Sequence, residues 1–502
     1  TGLLLWGKPW HVDEPFFLSI ARQILRDPLH PLAFEFNWYG RAAPMGSLNN
    51  TPPLLAYLLA GALRLGGGSE FWTRALFFPM DLAASWGLLA LAARFLKRPL
   101  LPVLIVLAGP AWALDMHHVM AERAMAAFAF PAIWLFVKAA EEGGVRELRA
   151  SAALACLAVL SKYNAVFLLP VAVGWGLARG MPKRRLAAWC AAAVAGAAAW
   201  QAWSWVSGAN PGLAAWSVAS QASGALWSAP SHKLRSLLCF TGGCGVAAAA
   251  WGAALRPSRR ILLACAAASA VLLSPFFDLA PIVRPVDRAT GFLLAWGAMV
   301  SLGALATGRR TRGAPLWACW AASVAVLQLS YWSVLARFVV LLLPPLTFWL
   351  AERLEDERAD APRLMAGTLA ACVALSVAIG LVDWTYASAQ RDAARLVARQ
   401  YPGRALWTTA HWGLQEYVAA EGGKPLDLAR GAWDEVKPGG IVIVTKVNSN
   451  IIRPSRPLRA RTQGWTIQSP VPLRHMSGWT GEGAFYSSVM GFLPWSLSKE
   501  PV

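Results

Sequence analysis

The sequence contains few charged residues, and acidic residues are especially scarce. Only 15% of its 502 residues are charged, against about 25% in a typical soluble domain. Asp and Glu together number 27 and Lys and Arg 46, so the formal net charge is +19. Hydrophobic residues make up 57% of the chain, and its mean hydropathy is +0.44. A soluble fold could not bury so much apolar surface, which excludes soluble, disordered and fibrous classes and indicates a membrane protein.

Motifs that bind nucleotides or stabilise secreted domains are also missing. The sequence has neither a Gly-x-x-x-x-Gly-Lys-Ser/Thr loop nor a Gly-x-Gly-x-x-Gly loop after a strand. The seven Cys fall in or beside apolar runs, which predicts buried inert thiols rather than disulfides or zinc ligands. Basic residues form short clusters between apolar runs, as in polytopic membrane proteins. Membrane lipids are therefore expected partners, and nucleic acid is not.

Apolar runs predict about 12 to 13 transmembrane helices. The first six residues are too few to cross a bilayer, which needs roughly 20, and we interpret them as the end of a first span. Residues 148–178 could form one span or two, and two fit the charge distribution better. After the first six residues, and with 148–178 counted as two spans, the apolar runs cover residues 72–96, 99–114, 119–138, 148–160, 163–178, 186–206, 234–254, 260–279, 289–306, 315–333, 337–351 and 363–385.

Charge in the connecting loops predicts the orientation. If the first span ends outside, most Lys and Arg between the spans fall in inner loops, as the positive-inside rule requires. The loop 7–71 and the tail 387–502 then lie outside. We thus expect a transmembrane domain, 1–386, followed by a soluble α/β domain, 387–502. Its predicted elements are a helix at 390–400, a strand at 405–409, a helix at 412–420 and a strand at 440–447.

Charged residues at the outer ends of the spans are the main functional candidates. Asp13 and Glu14 precede a predicted surface helix, where the alternative role is N-terminal capping. Glu122 begins a later span, and Lys162 and Arg337 are isolated cations that could instead snorkel at helix ends. Since all five fall on one face that is otherwise poor in Lys and Arg, we infer a common site.

The order of four motifs resembles that of the GT-C glycosyltransferases. The motifs are Asp13-Glu-Pro-Phe-Phe-Leu-Ser-Ile-Ala-Arg, Thr51-Pro-Pro-Leu-Leu-Ala-Tyr-Leu-Leu, Leu160-Ser-Lys-Tyr and Ala336-Arg-Phe-Val-Val-Leu-Leu-Leu-Pro-Pro. They are most similar to the bacterial branch with protein O-mannosyltransferase-like enzymes and the lipid A aminoarabinose transferase. The resemblance covers nearly the whole chain and implies a GT-C fold of about 12 to 13 transmembrane helices with an outward-facing C-terminal α/β domain.

The same resemblance implies a reaction and its residues. A sugar would move with inversion from a polyprenyl-phosphate carrier to a glycolipid, polysaccharide or protein acceptor. Asp13 would be the base with Glu14 as its neighbour, and Lys162 and Arg337 would hold the lipid phosphate. Glu122 matches a second acidic position, where Asp is more usual. The enzyme would lie in a bacterial inner membrane, with its active site and tail in the periplasm.

Further candidates have weaker signals. His117 and His118 lie near Glu122, and with His11 they could contribute to a divalent-metal site, but their spacing does not define one and no cofactor is assigned. Packing or hydrogen bonding is the alternative for every His. The predicted substrate-binding residues are His11, Asn50, Thr51, Tyr57 and Tyr163, with Asn50 and Thr51 where the family often has Lys or His. The predicted acceptor contacts are His411, Trp412 and Gln415, for which ordinary helix packing is the alternative.

Two other classes of protein compete with a transferase. A transporter or flippase of lipid-linked glycans would have related halves and charges near the middle of the membrane. The sequence shows no repeat, and its charged candidates lie at one face. A non-catalytic assembly factor would use the tail only for binding. The position of the charges therefore favours the transferase.

Overall fold

The computed structural model describes residues 5–207, 229–278, 283–447, 454, 459–476 and 482–499, and most of them are helical. The first four residues and most of the predicted outer loop 207–233 lie outside this set. The α-helices of six or more residues are Glu14–Arg26, Leu54–Leu65, Glu70–Ala75, Phe78–Ala92, Leu100–Ala108, Pro110–Asp115, Ala121–Glu142, Val145–Ser161, Leu168–Ala178, Lys183–Val206, Pro230–Cys244, Val246–Ala254, Arg259–Leu272, Pro285–Thr307, Ala314–Ser330, Leu343–Glu357, Ala361–Gln400 and Gly413–Ala420.

The prediction of a mainly helical, multi-pass membrane protein is confirmed. Five helices in the described ranges are long and apolar enough to cross a membrane, or six if a pair bent by 86° counts as one span. Other predicted spans coincide with shorter helices, so the number 12 to 13 stays a prediction. The five helical segments are Glu70–Ala92, Ala121–Glu142, Lys183–Val206, Pro285–Thr307 and Ala361–Gln400, and the bent pair is Pro230–Cys244 with Val246–Ala254.

Small residues bring two pairs of helices close together. A Cβ atom on Gly87 would lie 2.5 Å from the backbone nitrogen of Pro131. A Cβ atom on Gly297 would collide with the carbonyl oxygen of Ala249. Glycine at these positions lets backbones approach as they do at helix interfaces in membranes. The first of these close approaches involves the helix that carries Glu122, most of whose residues are buried.

The first loop, predicted to lie outside, contains two helices that pack together. Its helix Glu14–Arg26 has Pro15 in the first turn, where the missing N–H costs nothing. Phe17, Leu18 and Ala21 are buried on one face of this helix, which packs against the helix Leu54–Leu65. A short antiparallel hairpin, Glu35–Asn37 with Ala42–Pro44, lies between the two helices in the chain.

The last long helix continues through the predicted domain boundary. It runs unbroken for 40 residues from Ala361 to Gln400, so the predicted helix at 390–400 is its outer end. After it, three short parallel strands form a sheet with Leu406–Thr408 between Lys424–Pro425 and Ile441–Ile443. The helix Gly413–Ala420 packs on this sheet. The division into two domains stays a prediction.

The end of the tail returns to the transmembrane helices. Phe492 and Leu493 are buried in a cluster with Leu238 and Ala295. The carbonyl oxygen of Phe485 accepts a hydrogen bond of 3.1 Å from the backbone N–H of Ala336. The tail thus contacts the segment that carries Arg337.

A buried carboxyl in this returning segment makes a pH-dependent contribution to stability. Burial raises the pKa of Glu482 to about 7 from an ordinary value of 4.5, although its Oε2 accepts a 2.7 Å hydrogen bond from the Phe492 N–H. The folded state therefore holds this proton more tightly than the unfolded state does. As a result, the free energy of unfolding should fall by about 3 kcal/mol as the pH rises from about 4.5 through 7. Glu482→Gln should remove that loss.

Thermal unfolding of the full-length protein across this pH range tests the effect. The Glu482→Gln variant should unfold at a higher temperature than wild type at about pH 8 and at nearly the same temperature at about pH 4.5. Glu421→Gln, at an exposed carboxylate of the tail, is the matched control. Parallel pH profiles for wild type and Glu482→Gln would refute the prediction.

Candidate active site

Four charged side chains meet near the ends of several helices, and we call them the charge cluster: Asp13, Glu122, Lys162 and Arg337. The Arg337 Nη1 donates a 2.7 Å hydrogen bond to Asp13 Oδ2. Glu122 Oε1 lies 2.6 Å from Lys162 Nζ and 3.3 Å from Arg337 Nε. The formal charges sum to zero. The Glu122 side chain is only 1% exposed, whereas that of Asp13 is 29% exposed, so the cluster opens to solvent at Asp13.

These four groups come together because each lies at or near an end of a helix. Asp13 immediately precedes the helix Glu14–Arg26, and Glu122 is in the first turn of its own helix. Lys162 follows a helix that ends at Ser161 and has extended backbone angles. Arg337 lies in the short helix Ala336–Val339. All four side chains therefore come from irregular or terminal backbone, where polar groups can face an opening between spans.

One aromatic ring lies beside both cations. The Lys162 Nζ is 4.6 Å, and the Arg337 guanidinium carbon 5.7 Å, from the centroid of the Phe338 ring. A ring face attracts cations and restricts their side chains. Phe338 is buried, so it helps to hold the two positive charges on the same carboxylate.

A strained residue directs Asp13 towards the cluster. Val12 has φ of 53°, which is an outlier for a β-branched residue. Strain of this kind persists only where the surroundings over-determine the backbone, and it is frequent at functional sites. The turn at Val12 places His11 in the interior, fully buried, and leaves Asp13 partly exposed.

Glu14 faces away from the charge cluster and is completely buried. Its carboxylate pairs with Arg74, with Nη2 at 2.8 Å from Oε2 and neither side chain exposed. It also accepts backbone hydrogen bonds of 2.8 Å from His11 and 2.9 Å from Val119. Burial tends to raise the pKa of Glu14, but the charges of Arg74, His118 and Lys8 and the hydrogen bond from Arg74 together outweigh it and lower that pKa. These contacts favour a structural role, and the catalytic role stays a prediction.

A second buried cluster surrounds Asp383, in the long last helix. Its Oδ1 accepts hydrogen bonds from Tyr486 at 2.6 Å and from His475 Nε2 at 3.0 Å. Lys8 contacts its Oδ2 and also the His118 ring. We call these residues, together with His11, the Asp383 cluster. Two predicted site residues, His11 and His118, thus lie in this cluster and not in the charge cluster.

The other predicted substrate-binding residues differ in how near they lie to the charge cluster along the chain. The Tyr57 hydroxyl donates a 2.6 Å hydrogen bond to the Pro28 carbonyl at the surface. The Thr51 hydroxyl donates to Asn50 Oδ1 at 3.3 Å within a turn. Tyr163 directly follows Lys162, and its buried hydroxyl has no hydrogen-bond partner among the described residues. Among these four candidates, Tyr163 alone adjoins a member of the charge cluster in the chain.

His117 is half-buried and lies between the helices Pro110–Asp115 and Ala121–Glu142. Burial is the main reason why its pKa lies well below the usual 6.5, and the nearby Arg123 charge adds to the effect. The ring is therefore neutral near pH 7. A neutral imidazole can accept a hydrogen bond through its unprotonated nitrogen.

The three predicted acceptor residues attach the tail to the first loop. The Gln415 Nε2 donates a 2.7 Å hydrogen bond to the Asn37 carbonyl. The His411 ring lies 5.0 Å from the ring of Trp38. Trp412 is 6% exposed and has φ of 65°. Acceptor binding by these residues stays a prediction, while their contacts explain how the tail docks.

Several residues near the site had no clear signal in the sequence. Arg74 is 60 positions along the chain from Glu14, the residue it pairs with. His475 and Tyr486 lie in a tail without a recognisable motif. Asp383 could have been found, because a carboxylate within a predicted apolar span usually marks a function.

Asp115 is 1% exposed, and neither of its carboxylate oxygens has a hydrogen-bond partner in the described part of the chain.

Comparison with known proteins identifies a family that is similar to part of this chain. Residues 50–208 match the family of dolichyl-phosphate-mannose-protein mannosyltransferases. The matched segment includes Glu122 and Lys162. The match confirms the resemblance to GT-C glycosyltransferases that the sequence motifs predicted. No match is found among curated proteins.

Two solved structures align with most of this chain at low sequence identity. ArnT from Cupriavidus metallidurans is 15% identical, with a TM-score of 0.36 over 83% of this chain and 82% of that one. The archaeal oligosaccharyltransferase AglB from Archaeoglobus fulgidus, in complex with an inhibitory peptide and a dolichol-phosphate, is 12% identical, with a TM-score of 0.38 over 83% of this chain. The chain spans 60% of the length of that oligosaccharyltransferase.

Proposed function

We propose that this protein is a GT-C glycosyltransferase that moves a sugar from a polyprenyl-phosphate carrier to an acceptor at the outer face of a bacterial inner membrane. The charge cluster is the observation that carries the proposal: one partly exposed carboxylate beside two largely buried cations. The family match over residues 50–208 supports the same class of reaction. The acceptor would be a hydroxyl of a glycolipid, a polysaccharide or a protein.

Lys162 and Arg337 are suited to hold the phosphate of the donor. Both contact the same oxygen of Glu122, at 2.6 and 3.3 Å, so their charged ends lie within reach of one small anion. Their side chains are only 14% and 15% exposed. In such a water-poor place, fixed charges stabilise the negative charge that develops on a departing phosphate.

Asp13 is suited to act as the base. Arg337 neutralises it in this structure, and a bound phosphate would compete for that guanidinium and release the carboxylate. The freed Asp13 would take the acceptor proton while the acceptor oxygen bonds to the anomeric carbon. The bond from that carbon to the phosphate oxygen breaks, and its electron pair leaves with the lipid phosphate. A single displacement of this kind inverts the anomeric centre and needs one base.

A transfer assay separates this function from its alternatives. Purified full-length protein would be incubated with a polyprenyl-phosphate sugar and membrane glycolipid as acceptor, and free polyprenyl phosphate would be measured. A transferase releases it in step with glycosylated acceptor. A flippase would move the intact donor across vesicles without release, and an assembly factor would do neither. Absence of release with glycolipid, polysaccharide and protein acceptors would contradict the proposal.

The two cations should each contribute to donor binding. Lys162→Ala and Arg337→Gln each remove one charge-assisted hydrogen bond, worth about 1.5–3 kcal/mol, and should weaken binding of polyprenyl phosphate by roughly 10- to 100-fold. Binding to the detergent-solubilised protein can be measured by calorimetry. Arg26→Ala, at an exposed cation of the first loop, should bind like wild type. Unchanged affinity in both cluster variants would place the phosphate elsewhere.

A further inference from the structure

Three separate parts of the chain converge in the Asp383 cluster. His11 comes from the first outer loop, Asp383 from the long last helix and His475 from the tail, and all three are buried. The His475 Nε2 lies 3.0 Å, and the His11 Nε2 3.4 Å, from Asp383 Oδ1. One ligand atom from each residue lies within 4.8 Å of the other two.

These separations fit a small metal ion. Zinc binds imidazole nitrogen at about 2.0–2.1 Å and carboxylate oxygen at about 2.0–2.2 Å, usually in a tetrahedron. Two ligands on such an ion are therefore roughly 3.3 Å apart. The distances from both imidazoles to Asp383 Oδ1 lie close to this value. Two His and one carboxylate are also a donor set that zinc commonly takes.

His11 supplies an independent reason to expect a ligand. Its side chain is fully buried, and neither of its ring nitrogens has a hydrogen-bond partner among the described residues. Burial of an unsatisfied imidazole is costly, and buried polar groups almost always have a partner. The His11 Nε2 lies 3.4 Å from Asp383 Oδ1, so an ion bound between these two atoms would satisfy this nitrogen.

We propose that His11, Asp383 and His475 bind a divalent transition-metal ion, zinc by its donor set, which fastens the tail to the first loop. The proposal does not depend on the transferase reaction. The Tyr486 hydroxyl donates a 2.6 Å hydrogen bond to the same oxygen, Asp383 Oδ1, and so helps to orient this carboxylate. His11 is two residues from Asp13, so the ion would also stabilise the strained turn at Val12.

Lys8 defines the competing arrangement. Its ammonium contacts Asp383 Oδ2 and could by itself balance the buried carboxylate. With a metal on Oδ1, Lys8 would instead orient the ligand from its second oxygen, as outer partners of metal ligands do. Without a metal, the cluster is a hydrogen-bonded clasp between Lys8, His475, Tyr486 and Asp383. The two arrangements differ in metal content and in their response to a substitution that keeps the hydrogen bond.

His475→Gln is the informative variant. A Gln amide can still donate to Asp383, but it is a poor zinc ligand, so the clasp would survive and the metal site would not. Full-length protein purified in detergent, loaded with zinc and dialysed, should contain about one zinc per chain by elemental analysis. His475→Gln and His11→Ala should each lose it, while His30→Ala, at an exposed His of the same loop, should keep it.

Cobalt substitution provides a spectroscopic check. Co²⁺ in a tetrahedral site gives visible d–d absorption, which should appear in wild type and His30→Ala and be lost in His475→Gln. Absence of stoichiometric zinc and cobalt from folded wild type would overturn the proposal and leave the clasp. So would full metal retention in His475→Gln. Metal content is measured without a glycosyl donor, so failure here is distinguishable from failure of the transferase proposal.

Discussion

Asp13→Asn is expected to reduce transfer by about 10²- to 10⁴-fold, the range in which general-base catalysis contributes. Asn cannot take the acceptor proton. Its carbonyl oxygen can still accept the hydrogen bond that Arg337 donates to Asp13 at 2.7 Å, so the geometry of the charge cluster should survive. Single-turnover release of free polyprenyl phosphate measures the effect, and binding of polyprenyl phosphate should remain within a few-fold of wild type.

The matched control for this substitution is Glu35→Gln. Glu35 is an exposed carboxylate in the same loop, and its replacement removes one negative charge from the outer face without touching the charge cluster. This variant should transfer like wild type. If Asp13→Asn retained transfer within a few-fold of wild type, Asp13 would not be the base.

Glu14→Ala should instead act on stability. Removal of this carboxylate leaves the fully buried Arg74 guanidinium without its partner, and breaking a buried ion pair in this way costs about 3–5 kcal/mol. Two backbone N–H groups, of His11 and Val119, would also lose their acceptor. We expect a lower yield of folded protein and a clearly lower unfolding temperature in detergent.

A double substitution tests the cause. Glu14→Leu combined with Arg74→Met removes both charges, so it should restore part of the stability that Glu14→Ala loses, because no uncompensated charge remains buried. The residual loss would reflect the two backbone donors. If Glu14→Ala folded with wild-type stability and yet lost transfer, Glu14 would belong to the catalytic machinery and the structural interpretation would be wrong.

The sequence predicts the fold class and the grouping of four site residues, because both follow from local pattern and membrane topology. Apolar runs give the helices, and the positive-inside rule gives one outer face. Asp13, Glu122, Lys162 and Arg337 each lie at a predicted outer end of a span, so topology alone brings them to the same side. Their direct contacts, at 2.6 to 3.3 Å, follow from packing that the sequence does not show.

Other features depend on distant contacts and could not be predicted. Adjacent carboxylates at Asp13 and Glu14 look equivalent in the sequence, but the turn at Val12 directs them to different environments. The partner of Glu14 is 60 residues away. The partners of Asp383 lie at both ends of the chain. Apolar runs also conceal breaks such as the 86° bend after Cys244, so the number of spans cannot be counted from hydropathy alone.

A structure of the protein with bound polyprenyl phosphate tests the central claim most directly. We predict that the phosphate lies within hydrogen-bonding distance of Lys162 and Arg337 and that the contact between Arg337 and Asp13 is broken, which leaves the Asp13 carboxylate free for an acceptor. A phosphate bound at another place, with the contact between Arg337 and Asp13 intact, would contradict the account.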